Sequence, residues 1–178
     1  MPATINLKPL DRFAAQISQS LAGPSPGPMR KVMKQWGEIY RSWSLERFDK
    51  FSKGGGGWPP LKQSTIRRRR KGKGKGTVAI LVDTATLKAG LRPVLNTNKG
   101  GLQKDIRGGV RVGYGGSTRH PKGKATIHAI AKYHQSGAPP HLPARSIIVD
   151  LPDRSPAMKQ MVALTQKALG LEWRKATA

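Results

Sequence analysis

The chain of 178 residues is long enough for one modest domain with attached arms, and its 33 Lys and Arg residues against nine acids give a formal net charge of +24. It contains no cysteine, which excludes disulfides, thiolate zinc sites and thiol nucleophiles. No apolar run approaches the ~20 residues that cross a bilayer and no secretory signal stands at the start, so we expect a soluble protein without membrane contact.

The first part of the chain predicts an arm followed by a long helix. Residues 1–28 carry apolar side chains at intervals of three or four and end in a run of Gly and Pro that interrupts helical structure. From Met29 to Phe51, apolar residues follow helical spacing, with charged residues on the opposite side. We therefore expect an N-terminal arm over 1–28 and an amphipathic helix over 29–51.

A glycine-rich turn and a tryptophan beside prolines come next. The four glycines of residues 54–57 should end the helix, and Trp58-Pro59-Pro60-Leu61 follows them. Because prolines make a rigid turn that can position a large ring for burial, Trp58 and Leu61 are candidate structural anchors. Residues 62–76 then form a basic loop, which charge repulsion and interspersed glycines should keep mobile until a partner neutralises it.

The rest of the chain alternates between predicted strands and helices. Four short segments have strand composition: Val78–Asp83, Leu91–Thr97, Gly109–Tyr114 and Ser146–Leu151. Helical spacing and end signals predict three further helices: Thr84–Gly90, Thr126–Gln135 ended by Gly137, and a C-terminal helix from Ser155-Pro156 to Gly170. Between and after them we expect a second basic loop over 115–125 and a loose tail over 171–178.

These elements predict an α+β fold. The long N-terminal helix and the C-terminal helix should pack on a small, mostly antiparallel sheet of about four strands. We expect one such domain over residues 29–170.

Several short motifs follow one another in a definite order. An Arg-Phe pair near the end of the first helix, Arg47-Phe48, leads to the glycine turn and to a Trp-x-Pro-Leu element at residues 58–61. Ile-Leu-Val-Asp-Thr-Ala-Thr-Leu follows at 80–87, and Val112-Gly113 stands at a predicted strand end. Finally, a Tyr-His-Gln-Ser-Gly run at 133–137 is closely followed by Pro-Ala-Arg at 143–145.

In this order, the motifs resemble those of the phage virion morphogenesis, or tail-completion, family, the head–tail joining type found in phage Mu and its relatives. The resemblance covers roughly residues 29–169, and its most specific part is His-Gln-x-Gly followed by Pro-Ala-Arg. The chain departs from the family pattern at three positions. Ala85 replaces a usual glycine, Ile130 stands where tyrosine is common, and Ser146 replaces the proline after Arg145.

The resemblance implies a structural protein that finishes the tail of a bacteriophage and helps to join it to the DNA-filled head. Proteins at that joint form rings, so we expect the chain to bind copies of itself, as a hexamer or alternatively a dodecamer. Its other partners would be neck or connector proteins and tail tube or terminator proteins. The protein would be located in the virion, and in the host cytoplasm during assembly.

Three motif residues are candidates for a contact. His134 and Gln135 suggest a site, but we favour a helix C-terminus at which the imidazole donates to terminal carbonyls and Gly137 supplies a left-handed cap. Arg145 could form a bidentate pair with a carboxylate such as Asp83, or it could contact another subunit, and the pattern does not separate these alternatives.

The basic run leaves its partner open. It consists of Arg67, Arg68, Arg69, Arg70, Lys71, Lys73 and Lys75. Such a run can meet acidic surfaces of neighbouring proteins, it can be a solvated loop, or it can bind the phage genome. The alternative function is therefore a basic nucleic-acid-binding protein that acts through residues 67–75.

We expect no enzymatic activity. The acids are scattered, no Ser–His–acid set is evident, and the glycines after residue 71 do not match a phosphate-binding loop. The four histidines lack helical ligand spacing to one another or to an acid, so we expect neither a metal site nor a cofactor.

Overall fold

The structure is a computed structural model, and it describes residues 28–71, 79–82, 84–106, 109–121, 123–138, 140 and 142–177, together with Ala15 alone. Side chains are not described for residues 28, 70–71, 105–106, 109, 172–173 and 175–177. The predicted N-terminal arm, Asp83, Lys73 and Lys75 therefore lie outside the described residues, apart from Ala15 and Pro28 in the arm.

The predicted α+β class is confirmed. The helices are α1 (Pro28–Ser52), α2 (Gln63–Lys71), α3 (Thr86–Gly90), α4 (Ile127–Ser136) and α5 (Pro156–Thr177), with a 3-10 turn at Thr97–Lys99. The strands β1 (Gly101–Ile106) and β2 (Gly109–Tyr114) form one antiparallel pair. Within the described residues the sheet has these two strands only, fewer than the four or so that the sequence predicts.

Contacts divide the chain into two compact units. The first contains the chain up to Ile39, the segment Lys104–Arg111 and the chain from Leu151 onward, and the second contains Tyr40–Gln103 and Val112–Asp150. The helix α1 contributes to both. The sequence predicts a single domain over 29–170, and that prediction does not include this division into two units.

The first unit buries apolar side chains from α1 and α5. They are Met29, Val32, Met33, Ala157 and Met161. The indole Nε1 of Trp36 donates to the carbonyl oxygen of Met161 at 3.2 Å, which ties the two helices together. Apolar burial and this hydrogen bond both stabilise the described part of the unit.

The C-terminal helix begins as predicted but ends later. The Ser155 hydroxyl accepts from the backbone N–H of Met158 at 3.1 Å, the arrangement of an N-cap, and Pro156 is the first helical residue. The helix then continues through Gly170 to Thr177, so both the predicted stop and the loose tail over 171–178 are wrong for residues 171–177. A single glycine lowers helix stability by about 1 kcal/mol, which is not enough to end a helix.

The core of the second unit comes from elements far apart in sequence. Its fully buried members include Phe48 from α1, Leu91 after α3, Ile127 from α4 and Ile147 beyond it. Tyr114 at the end of β2 belongs to the same cluster and donates its hydroxyl to the carbonyl of Leu87 at 2.5 Å. These residues fix α4 and the segment after it in one place.

Two predicted strands are replaced by turns. Residues 79–82 form no strand, because Leu81 has a positive φ of 61° that interrupts an extended backbone. Residues 91–96 form a turn, a bend and an irregular segment that lead into the 3-10 turn, while β1 begins only at Gly101. The apolar composition correctly indicated burial, since Ile80, Leu81 and Leu91 all lie in the core, but burial alone does not specify strand pairing.

Ala85 adopts a backbone conformation that is unusual for alanine. Ala85 precedes α3 with φ 55° and ψ 9°, in the left-handed region. Glycine adopts that region without the steric penalty of a Cβ atom. Glycine would therefore suit this position better than alanine does.

The basic loop is partly helical. Helix α2 starts after Lys62, whose carbonyl accepts from the N–H groups of Thr65 and Ile66, and it includes Arg67–Lys71. The expected loop over 62–76 is thus wrong for residues 63–71, which are helical. Arginine and lysine have good helix propensity, so like charge need not prevent a helix.

Candidate functional site

The extended segment of residues 145–149, here called the pinned segment, is the centre of the motif residues. We expect a strand at 146–151, yet this part of the chain pairs with no strand among the described residues. Its backbone polar groups bind side chains and one helix-end carbonyl instead. The Arg145 N–H donates to the His134 carbonyl at 2.6 Å, and the Val149 carbonyl accepts from the Tyr40 hydroxyl at 2.6 Å.

Gln135 acts as a substitute for a neighbouring strand. Its Oε1 accepts from the backbone N–H groups of Ile147 at 2.8 Å and Ile148 at 3.0 Å, and its Nε2 donates to the Ile148 carbonyl at 2.6 Å. An amide side chain carries both donors and an acceptor, so it can complement an extended backbone on both counts. The glutamine of the His-Gln-x-Gly motif therefore has a structural role.

Trp58 contacts the same segment from another direction. It is 8% exposed, and its Nε1 donates to the Ser146 carbonyl at 3.1 Å. Its ring meets Phe48 and Phe51 edge to face, with centroids 5.1 and 5.6 Å away. The structure thus places Trp58 in the core of the second unit, and Leu61 packs half-buried against that core.

The glycine turn brings Trp58 to this position. Gly54 and Gly55 donate to the carbonyls of Phe51 and Lys50, which closes the end of α1. Gly57 has φ 84°, and a Cβ atom there would lie 2.4 Å from the Phe51 ring. Glycine is required at Gly57 both for its backbone conformation and for the close approach of that ring.

Arg145 uses its buried guanidinium on backbone carbonyls. It is 4% exposed, and Nε and Nη2 donate to the Pro59 carbonyl at 3.3 and 3.1 Å, while Nη2 also reaches the Pro60 carbonyl at 3.4 Å. The arginine of the second motif therefore ties the pinned segment to the Trp-Pro-Pro-Leu element. The expected pair with Asp83 involves a residue outside the described ones and stays a prediction.

His134 lies close enough to Arg145 and Arg69 for their charges to affect its pKa. Its Nδ1 is buried and has no hydrogen-bond partner within the described residues, which differs from the expected donation to terminal carbonyls. Burial, followed by the charges of Arg145 and Arg69, lowers the pKa of His134 from 6.5 to about 4. The imidazole is therefore neutral at pH 7, since a third positive charge in this position is unfavourable.

Gly137 ends α4 and sets the path to Arg145. Its N–H donates to the Tyr133 carbonyl at 2.8 Å, and it has φ 75° and ψ 174°. The positive φ agrees with the expected glycine stop, but the ψ value is not that of a left-handed cap. A Cβ atom at Gly137 would lie 2.8 Å from the Ala144 nitrogen, so glycine also allows the returning chain to pass closely.

The basic run separates into two environments. Arg67 and Arg68 are exposed on α2, whereas Arg69 is half-buried and donates Nη1 to the Ala79 carbonyl at 2.8 Å. Arg70 and Lys71 belong to the same helix, but their side chains lie outside the described residues. Sequence alone does not distinguish Arg69 from its neighbours.

Two arginines of α1 were missed by sequence reasoning. Arg47 donates Nη1 to the carbonyls of Ser146 at 2.8 Å and Ile147 at 3.2 Å. Arg41, only 2% exposed, donates to the carbonyls of Arg92 and Pro93 and to the side chain of Gln103. Helical spacing assigned Arg41 to the solvent-facing side of α1, so helical periodicity gave no signal for its burial. The Arg-Phe motif was the available signal for Arg47.

Comparison with protein-family models, with curated proteins and with solved structures finds no match to this chain. In the part of the chain that the structure describes, no helix is long and apolar enough to cross a membrane. Among the same residues, no three His, Asp or Glu side chains come together as a metal ion would require.

Proposed function

We propose that this protein is a structural protein of a tailed bacteriophage that completes the tail and helps to join it to the filled head. The observation that carries the proposal is the convergence of the motifs on the pinned segment. Residues 58–60, 134–137 and 145–148 are separated in sequence, yet their side chains and backbone share one hydrogen-bonded network. Motif residues that serve the architecture are what a resemblance to an assembly family leads one to expect.

The chemistry of the network favours a scaffold over a catalytic site. Trp58, Gln135 and Arg145 direct their polar groups to backbone atoms rather than to one another. Side-chain groups that form their hydrogen bonds with the protein's own backbone stabilise a conformation, whereas catalytic groups must contact a substrate. This supports a role in which the protein offers a stable surface to its neighbours.

Assembly would use heterologous contacts between identical subunits in a closed ring. A hexamer would match six-fold tail symmetry, and a dodecamer would match a portal-side ring. The exposed Arg67 and Arg68 of α2 would meet acidic surfaces of neck or tail proteins and would accelerate their encounter.

The test is to image the purified protein alone and after addition to tails made without it, and to measure its mass by analytical ultracentrifugation. We expect rings, their attachment to one end of the tail, and restored joining to filled heads. A monomer that neither binds tails nor restores joining contradicts the proposal.

A nucleic-acid-binding protein is the rival function, and the exposed arginines of α2 are the observation that favours it. DNA affinity that falls steeply with salt, together with normal joining by tails that lack the protein, would support the rival. Joining that requires the protein while DNA binding stays weak would support the assembly role.

A further inference from the structure

A cavity of about 580 Å³ opens beside the pinned segment, within the second unit. Six of its lining residues carry nitrogen donors or acceptors: Lys62, Arg68, Arg69, His120, His134 and Arg145. Among the described lining residues there is no Asp or Glu. The hydroxyls of Thr65 and Thr84 add neutral donors. A concave surface lined in this way attracts an anion.

The same cavity has an apolar part. Leu61, Leu81, Leu87, Ile130 and Leu142 line it together with prolines. An inorganic anion has no apolar group, so it would leave these aliphatic side chains without an apolar contact. A ligand that combines an anionic group with an aliphatic one would use both parts.

The electrostatics around His134 agree with an anion site. Burial is the main cause of the lowered pKa of His134, and the nearby Arg145 and Arg69 charges lower it further, so these two charges make the local potential positive. A potential that repels a proton also attracts a negative group. The ring position of His120 is fixed by the 2.8 Å contact between its Nε2 and the Thr84 hydroxyl, so part of the wall is preorganised.

We propose that this cavity binds a carboxylate side chain flanked by an aliphatic residue, presented by an acidic segment of a partner protein. Guanidinium groups match the planar carboxylate, and the leucines receive the aliphatic neighbour. Duplex DNA fits less well, because its phosphates are flanked by polar sugars and lie on a convex surface. The site rests on the cavity and does not depend on the assembly role.

The experiment must distinguish a carboxylate of a partner protein from a carboxylate that the chain itself supplies. Asp83 adjoins Thr84 in the sequence, and its side chain lies outside the described residues. The test therefore includes Asp83→Asn. If the internal carboxylate occupies the cavity, only this variant will bind an added one.

The probe is an acetylated and amidated peptide of alternating Leu and Glu, compared with a peptide in which Gln replaces Glu and with inorganic phosphate. Binding is measured by calorimetry at about 0.15 M salt, where the Debye length is about 8 Å and diffuse attraction is reduced. We expect saturable binding of the Glu peptide to the parent protein, at least about tenfold tighter than the Gln peptide, the effect of one charge-assisted hydrogen bond.

Two neighbouring arginines give a matched control. Arg68 lines the cavity and Arg67 does not, although both are exposed on α2. Arg68→Ser should weaken the Glu peptide several-fold, while Arg67→Ser should leave its affinity unchanged, with both variants melting like the parent. Equal loss in both variants, equal binding of the Gln peptide or of phosphate, or binding by Asp83→Asn alone would each overturn the proposal.

Discussion

Compared with the arginines that α2 exposes, those beside the pinned segment are buried or half-buried and bind backbone carbonyls. Arg145 and Arg47 each donate to two carbonyls, whereas Arg67 and Arg68 lie at the surface. Buried guanidinium groups are costly to desolvate and are retained only where carbonyls satisfy them, while exposed ones stay hydrated. The net charge of +24 therefore combines arginines that bind the protein's own backbone with arginines that are exposed to solvent.

The largest effect should follow from removing the aromatic anchor of the pinned segment. Trp58→Ala deletes a core side chain that packs on Phe48 and Phe51 and leaves the Ser146 carbonyl without its indole donor. The free energy of unfolding should fall by about 3–5 kcal/mol. Denaturant unfolding measures this, and a change below about 1 kcal/mol would show that the anchor role is wrong.

Gln135 should give the next largest effect, because it binds three backbone groups of the pinned segment. Gln135→Ala should lower the free energy of unfolding by about 2–3 kcal/mol through unsatisfied polar groups. Gln135→Met keeps most of the volume but cannot form these bonds, so it should be nearly as harmful.

The matched control for Gln135 is Ser136→Ala. Ser136 is exposed, and its hydroxyl bonds lie within the end of its own helix. Its replacement should change stability by no more than about 0.5 kcal/mol. Full stability of Gln135→Met would show that the amide only fills space.

The sequence predicts the helices of this fold better than it predicts the polar network around the pinned segment. Helical spacing gave α1, α4 and the start of α5, since amphipathic periodicity is a local property. The extents of β1 and the pinned segment were not predicted correctly, because strand pairing depends on which partner satisfies the backbone. The motif residues pointed to Trp58 and Gln135, but nothing local in the sequence shows that Arg145 would bind the Pro59 carbonyl.

A smaller effect should appear as a pH dependence from His134. Its folded pKa of about 4 lies below the ordinary 6.5, so the unfolded chain binds more protons between these values. Stability is therefore complete above about pH 6.5 and decreases as the pH falls towards 4. The loss should be on the order of 1–2 kcal/mol, less than the full shift implies because the ring is not fully enclosed.

The measurement is the difference between the pH profiles of the parent and of His134→Asn. The acids and the remaining histidines titrate in both proteins, so their contributions cancel. The parent should lose its advantage over the variant between about pH 6.5 and 4. A difference that stays constant with pH would mean that the ring is not held neutral by its surroundings.

The smallest effect on stability concerns Arg67 and Arg68. It tests the exposed arginines of the comparison rather than the buried ones. Replacing both with serine removes two exposed charges, which contribute little to folding, so the melting temperature should stay within about a degree of the parent. Head–tail joining should nevertheless be impaired, with association slower and less sensitive to salt, because the long-range attraction is weaker. Infectious yield and the fraction of tails attached to heads in electron micrographs measure this.

Arg69→Ser provides the contrast on the same helix. Arg69 is half-buried and donates to the Ala79 carbonyl, so its loss should lower the melting temperature where the double variant does not. If the double variant joins heads and tails normally, the exposed arginines are solvated and have no role in association. If instead it melts several degrees lower, these side chains belong with the buried arginines, and the division between stability and association does not hold along α2.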